Sequence, residues 1–154
     1  MKLEHAQRYR LEALKDSCSV LGPDDERHFT APATKKIPKL YVISRNGIPG
    51  YVGITSQPMA TRLRSGLQAD GKHGYHGYRW RNQQKLALDI WCLAGVASDR
   101  ASMELESIEA EVVFLARKEF DQWPEFQTEI HFHQSQRFHR EAAASIIQHL
   151  QKKA

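Results

Sequence analysis

Asn46-Gly47 separates two short runs, KLYVISR (39–45) and YVGIT (51–55), each rich in β-branched and aromatic residues. Asn-Gly supplies the positive φ angles that tight hairpin turns require, so the segment predicts an antiparallel hairpin with NGIPG (46–50) as its turn. Few other chain paths suit these residues. The hairpin brings Tyr41 and Tyr51 close together across the ladder.

The elements that follow read from punctuation and periodicity. Ser56 and Pro58 open a helix, because proline costs nothing at a first helical position; it runs to about Leu67. QADGKHGYHG (68–77) is a glycine-rich loop, and YRWRNQQ (78–84) reads as a second helical segment. LALDIWCLAG (86–95) is a third strand stopped by Gly95. From Ser98 a long helix carries Ala101, Leu105, Ile108, Val112 and Leu115 as an apolar stripe. WPEFQTEIHFH (123–133) ends extended, and RFHREAAASIIQHLQKK is a last amphipathic helix.

Ahead of the hairpin, Leu3, Leu11, Leu14 and Cys18 recur near helical spacing, predicting a helix over 2–18 followed by a Pro-, Asp- and Thr-rich linker. Three units result: an N-terminal helix and linker (1–37), a central domain (38–133) and a C-terminal helix packing on it (134–154). The fold class expected is α/β (α+β), with a small central three-stranded antiparallel sheet flanked by helices and extra helices at both ends.

No run in the 154 residues has the length of a membrane span, and the polar start is not a signal peptide, so a cytoplasmic location without membrane partners is expected. Cys18 and Cys92 have no pairing signature. Charge is unevenly spread. Between Lys35 and Lys85 stand ten Lys or Arg against one acid, Asp70, leaving about −5 for the rest of a chain whose net charge is +4. A basic middle in an acidic frame points to a polyanion partner, with nucleic acid the first candidate. Arg64, Lys72, Arg79, Arg81 and Lys85 are the expected phosphate contacts. Amphipathic terminal helices would allow a homodimer.

Tyr41 and Tyr51, Arg62 on the first helix and Glu111 on the long helix form a set suited to phosphodiester chemistry. A carboxylate holds a hard divalent cation, a guanidinium matches phosphate oxygens, and a phenol positions or activates water. LYV at 40–42 followed by YVG at 51–53 resembles the paired tripeptides of the GIY-YIG nuclease superfamily, which spans nucleotide excision repair, homing and restriction enzymes. The first tripeptide is KLY, keeping the tyrosine and losing the glycine. TRLR supplies the helix arginine, best matched by Arg62, and EVVFL supplies the glutamate, Glu111, with Glu109 and Glu104 as weaker matches.

The resemblance covers roughly residues 38–133. It implies a metal-dependent DNA endonuclease with one Mg²⁺ or Mn²⁺ on Glu111 and cleavage without a covalent intermediate. It also implies a histidine or tyrosine after the first helix; His73, His76 and Tyr78 are available, with His76 favoured. Family members carry an asparagine near the domain's end, and here His131 or His133 of TEIHFH stands in that region. A non-catalytic nucleic-acid-binding module on the same scaffold is the first alternative reading, and a metal protein centred on His131 and His133 the second.

Overall fold

The computed structural model describes residues 1–154 as one five-stranded antiparallel sheet and three α-helices. The strands are β1 (Lys2–Ala13), β2 (Cys18–Leu21), β3 (Lys39–Arg45), β4 (Ile48–Thr55) and β5 (Leu86–Ala94), in the order β2-β1-β5-β3-β4. The helices are α1 (Met59–Gln68), α2 (Ser98–Phe120) and α3 (Arg137–Lys152), and Lys72–Gly74 forms one 3₁₀ turn. None of the helices is long and apolar enough to cross a membrane.

The hairpin, α1, the third strand, α2 and α3 lie where the sequence places them. The sheet is nonetheless five-stranded, because the N-terminus is not a helix. Tyr9, Leu11 and Ala13 are buried and alternate with Arg8, Arg10 and Glu12, which lie on the opposite face and are less buried, a period of two that fits a strand. β1 pairs with β5 along most of its length and with β2 beyond, so residues 1–21 extend the sheet. Leucine spacing at 3, 11 and 14 suggests a helix, but the sheet selects the finer alternation. The helical segment expected at 78–84 is also absent. Gly77, Asn82 and Lys85 all have positive φ, which interrupts any right-handed helix there.

Both faces of the sheet are covered. On one, Tyr9, Leu11, Tyr41, Ile43, Leu88 and Ile90 meet Met59, Leu63 and Leu67 of α1, together with Tyr78 and Trp80. On the other, Leu40, Val42, Val52 and Trp91 meet Leu105, Ile108 and Val112 of α2 and Ile146, Ile147 and Leu150 of α3. Charge arrangement favours α2 as well, with Asp99 in its first turn and Arg117 and Lys118 in its last.

The strand assignment has a direct consequence. Leu11 is 0% exposed and Leu14 is 56% exposed, although a helix would place both on one face. Leu11→Ala should cost about 2–4 kcal/mol in urea unfolding, against under about 0.5 kcal/mol for Leu14→Ala. Equal costs would return the segment to a helix.

Candidate active site

The site is built on two glycine contacts. Tyr41 lies opposite Gly53 in the β3–β4 ladder, and Tyr51 opposite Ile43, so both phenols project from one face as diagonal neighbours. A Cβ at Gly53 would approach the Tyr41 ring carbon and oxygen to 2.7 Å, so the glycine of YVG is the floor on which Tyr41 rests. A Cβ at Gly66 of α1 would come within 2.0 Å of the Tyr78 ring. Tyr78 is thereby drawn against α1 and stacks on Trp80 with ring centroids 4.5 Å apart. The Tyr41 and Tyr78 hydroxyls are hydrogen-bonded at 2.8 Å, and Tyr51 packs against both rings at 5.9 and 5.3 Å.

Arg62 closes this cluster. Its guanidinium carbon lies 5.0 Å from the Tyr78 ring centroid, and its Nη1 donates to the Tyr75 hydroxyl at 2.9 Å. Burial works against the arginine's charge, yet Tyr41 and Tyr78 beside it hold its pKa above the ordinary value. Burial also raises the pKa of each of Tyr41, Tyr51 and Tyr78, outweighing the opposing pull of Arg62. All three phenols are therefore neutral near pH 7 and act as hydrogen-bonding groups. Tyr41 is fully buried, whereas Tyr51, Arg62 and Tyr78 line a cleft of about 350 Å³.

Two carboxylates line this cleft, Glu109 of α2 and Glu129 of the segment between α2 and α3, and Glu109 is the one supplied by the long helix. Glu109 lines both the 350 Å³ cleft and an adjoining one of about 330 Å³, together with Tyr51, Glu129 and His131. Burial and the nearby Glu106 and Glu129 carboxylates push its pKa up to about 7. Glu111, expected as the metal ligand, lines neither cleft. Two residues along a helix turn through about 200°, so only one of the two glutamates can face the phenols. Glu104, the other weaker match, hydrogen-bonds His139 of α3.

His76 lines the cleft with an exposed ring seated over Gly71, while Tyr78 makes the buried contact with Tyr41. His131 also lines the cleft, and its Nε2 lies 3.2 Å from Glu129. Gln127 is a residue that sequence reasoning missed. Its side-chain oxygen accepts from the Val52 N–H at 2.9 Å and its nitrogen donates to the Val52 carbonyl at 3.1 Å, fixing the free edge of β4 at the cleft wall. A short amide in an irregular segment before TEIHFH was the only available signal.

The expected phosphate contacts divide. Lys72, Arg79 and Lys85 are exposed. Arg64 is exposed on the other flank of α1, lining a separate groove with Arg27 and His28. Arg81 is not free for a phosphate: its guanidinium donates to the carbonyls of Tyr78, His76, Ala69 and Gly66 and holds the 66–78 loop together. Trp80 is buried and unavailable for base stacking. Compared with protein-family models, curated proteins and solved structures, the chain matches none.

Glu109 sets a pH dependence. From about pH 4.5 to 7 the folded chain holds a proton on Glu109 that the unfolded chain has released, so stability falls as pH rises through that window. The loss should be on the order of 2 kcal/mol after allowance for partial solvent screening. Thermal unfolding from pH 5 to 8 should show Glu109→Gln with a flatter profile than wild type. An unaltered profile in the variant would place the titrating group elsewhere.

Proposed function

We propose that the protein is a metal-dependent endonuclease that hydrolyses phosphodiester bonds in DNA, in the manner of the GIY-YIG superfamily. The observation that carries this reading is the opening of the Arg62 guanidinium, the Tyr51 and Tyr78 phenols and the Glu109 carboxylate onto one cleft.

The donor set suits a hard divalent cation. Glu109 offers carboxylate oxygens in a setting that penalises its charge, with carboxylates as neighbours and no cationic side chain paired to it. A cation would relieve that penalty, and the acidic and amide groups around the cleft are compatible with the waters that Mg²⁺ or Mn²⁺ retains. Such an ion polarises phosphate oxygens and lowers the pKa of water. In this reading Glu109 takes the role that the sequence pattern suggests for Glu111.

The chain's own groups supply the rest. Arg62, held by Tyr75 and the Tyr78 ring, presents its remaining N–H groups to the scissile phosphate and stabilises charge as it develops. Tyr51 orients the attacking water. Tyr41 has no solvent exposure and acts through its hydrogen bond to Tyr78, as a positioning residue. Lys72 and Arg79 on the adjacent loop, with Lys85 further along, give sequence-independent contacts to backbone phosphates.

Plasmid nicking with and without Mg²⁺ or Mn²⁺ tests the reading. Glu109→Ala should reduce cleavage roughly 100-fold or more, and Arg62→Ala by about 10²–10³-fold. Glu111→Ala should retain most activity. Metal-dependent cleavage at the wild-type rate by Glu109→Ala would remove this residue from the mechanism. DNA binding without nicking under any metal condition would favour a non-catalytic module.

A further inference from the structure

The opposite face of the sheet carries a second polar cluster that the proposed hydrolysis does not use. Asp89 lies in β5 between Leu88 and Ile90, which point towards α1; Asp89 points towards α3 and is fully buried. Its two oxygens are used separately. Oδ2 accepts from Arg8 Nη1 at 2.7 Å, while Oδ1 faces His5 Nε2 at 2.8 Å and His149 Nε2 at 3.2 Å. The two imidazoles lie with centroids 4.0 Å apart, and Trp91 meets each of them edge-on at 5.1 and 5.5 Å.

This convergence depends on a break in strand alternation. β1 pairs His5 with Trp91 and Arg8 with Asp89, and its register shifts between His5 and Gln7. Residues three apart in a regular strand face opposite sides; the bulge turns both His5 and Arg8 to the α3 face.

We propose that His5, Asp89 and His149 bind a late first-row transition-metal ion of the Zn²⁺ type, joining β1, β5 and α3. The two imidazole nitrogens and the carboxylate oxygen lie within 4.8 Å of one another. The two nitrogens stand 2.8 and 3.2 Å from the carboxylate oxygen, close to the roughly 3.3 Å that separates donors lying about 2.0–2.1 Å from a tetrahedral ion, and rotation of the imidazoles would complete the set. Two imidazoles and one carboxylate favour Zn²⁺ or Co²⁺ over Mg²⁺. Arg8 orients the carboxylate through the oxygen that faces away from the imidazoles. The site borders a cleft of about 640 Å³ lined by His5, Arg8, His149 and Lys153, which gives access and leaves a coordination position for water. Arg8 and Lys153 oppose a cation and moderate its affinity. The proposal is independent of the nuclease reading, whose oxygen-donor site lies at the edge of β4.

The test is titration of chelator-treated full-length protein with Co²⁺, followed by visible absorption and displacement with Zn²⁺. One equivalent should give an intense low-symmetry band that Zn²⁺ abolishes. His5→Ala, His149→Ala and the shape-conserving His149→Gln should each bind at least about tenfold more weakly while keeping the wild-type circular dichroism spectrum. Zn²⁺ should raise the Tm of wild type and not that of His149→Gln. Glu109→Gln should leave the band intact, separating this site from the proposed catalytic one. Absence of the band in wild type, or its persistence in both His5→Ala and His149→Ala, would overturn the assignment.

Discussion

Everything at the candidate active site rests on the contact between the Tyr41 phenol and the bare backbone of Gly53. That contact lets a ring lie flat across the β3–β4 ladder and brings its hydroxyl to Tyr78. Any side chain at position 53 would lift Tyr41 off the strand, and any at position 66 would push Tyr78 from α1. Hairpin and helix are thus fastened by two phenols seated on two glycines. Arg62 takes its position from the result, pinned between the Tyr78 ring and the Tyr75 hydroxyl. A guanidinium held this way loses little conformational freedom on meeting a phosphate, the condition under which a charged donor is most effective.

Much of this was legible in the sequence wherever a local rule decides the matter. Asn46-Gly47 specifies a hairpin whatever surrounds it, and α2 announces itself by a stripe at 101, 105, 108 and 112. The N-terminal strand was not legible by the same means, because its leucines fit a helix and its buried alternation is confined to Tyr9, Leu11 and Ala13. Propensity there is nearly neutral, and pairing with β5 decides the outcome. The carboxylate posed a different problem. Glu109 and Glu111 both belong to the motif-bearing stretch, and only the rotation of α2 about its axis selects between them. That rotation is set by Ile108 and Val112 meeting the sheet. The choice of Tyr78 over His73 and His76 for the contact with Tyr41, and the role of Gln127, were illegible because each depends on a loop folding back onto an element distant in sequence.

The basic middle of the chain also changes meaning once folded. Arg81 is consumed by backbone carbonyls and Arg62 is held by the tyrosines, so the segment's charge is not all surface charge. Arg81 closes the loop that carries His76 and Tyr78, a structural task for which a fork of five donors is well suited. The exposed remainder is Lys35 and Lys36 ahead of β3, with Arg64, Lys72, Arg79 and Lys85 on α1 and the segment that follows it. A charge count along the sequence therefore overstates how many of these cations are free at the surface.

The alternation of β5 ties the two halves of the molecule together. Leu88 and Ile90 support the phenol-bearing face, and Asp89 and Trp91 support the polar cluster beneath α3. A slip of one residue in the pairing of β5 would exchange the two faces, placing a buried carboxylate under the tyrosines and Ile90 against the histidines. The cost of stranding Asp89 away from Arg8, His5 and His149 makes that slip unfavourable. The cluster on the far face thus enforces the register on which the near face depends, even though the two sites share no side chain. The bulge at the start of β1 serves the same end, since without it His5 and Arg8 could not face Asp89 together.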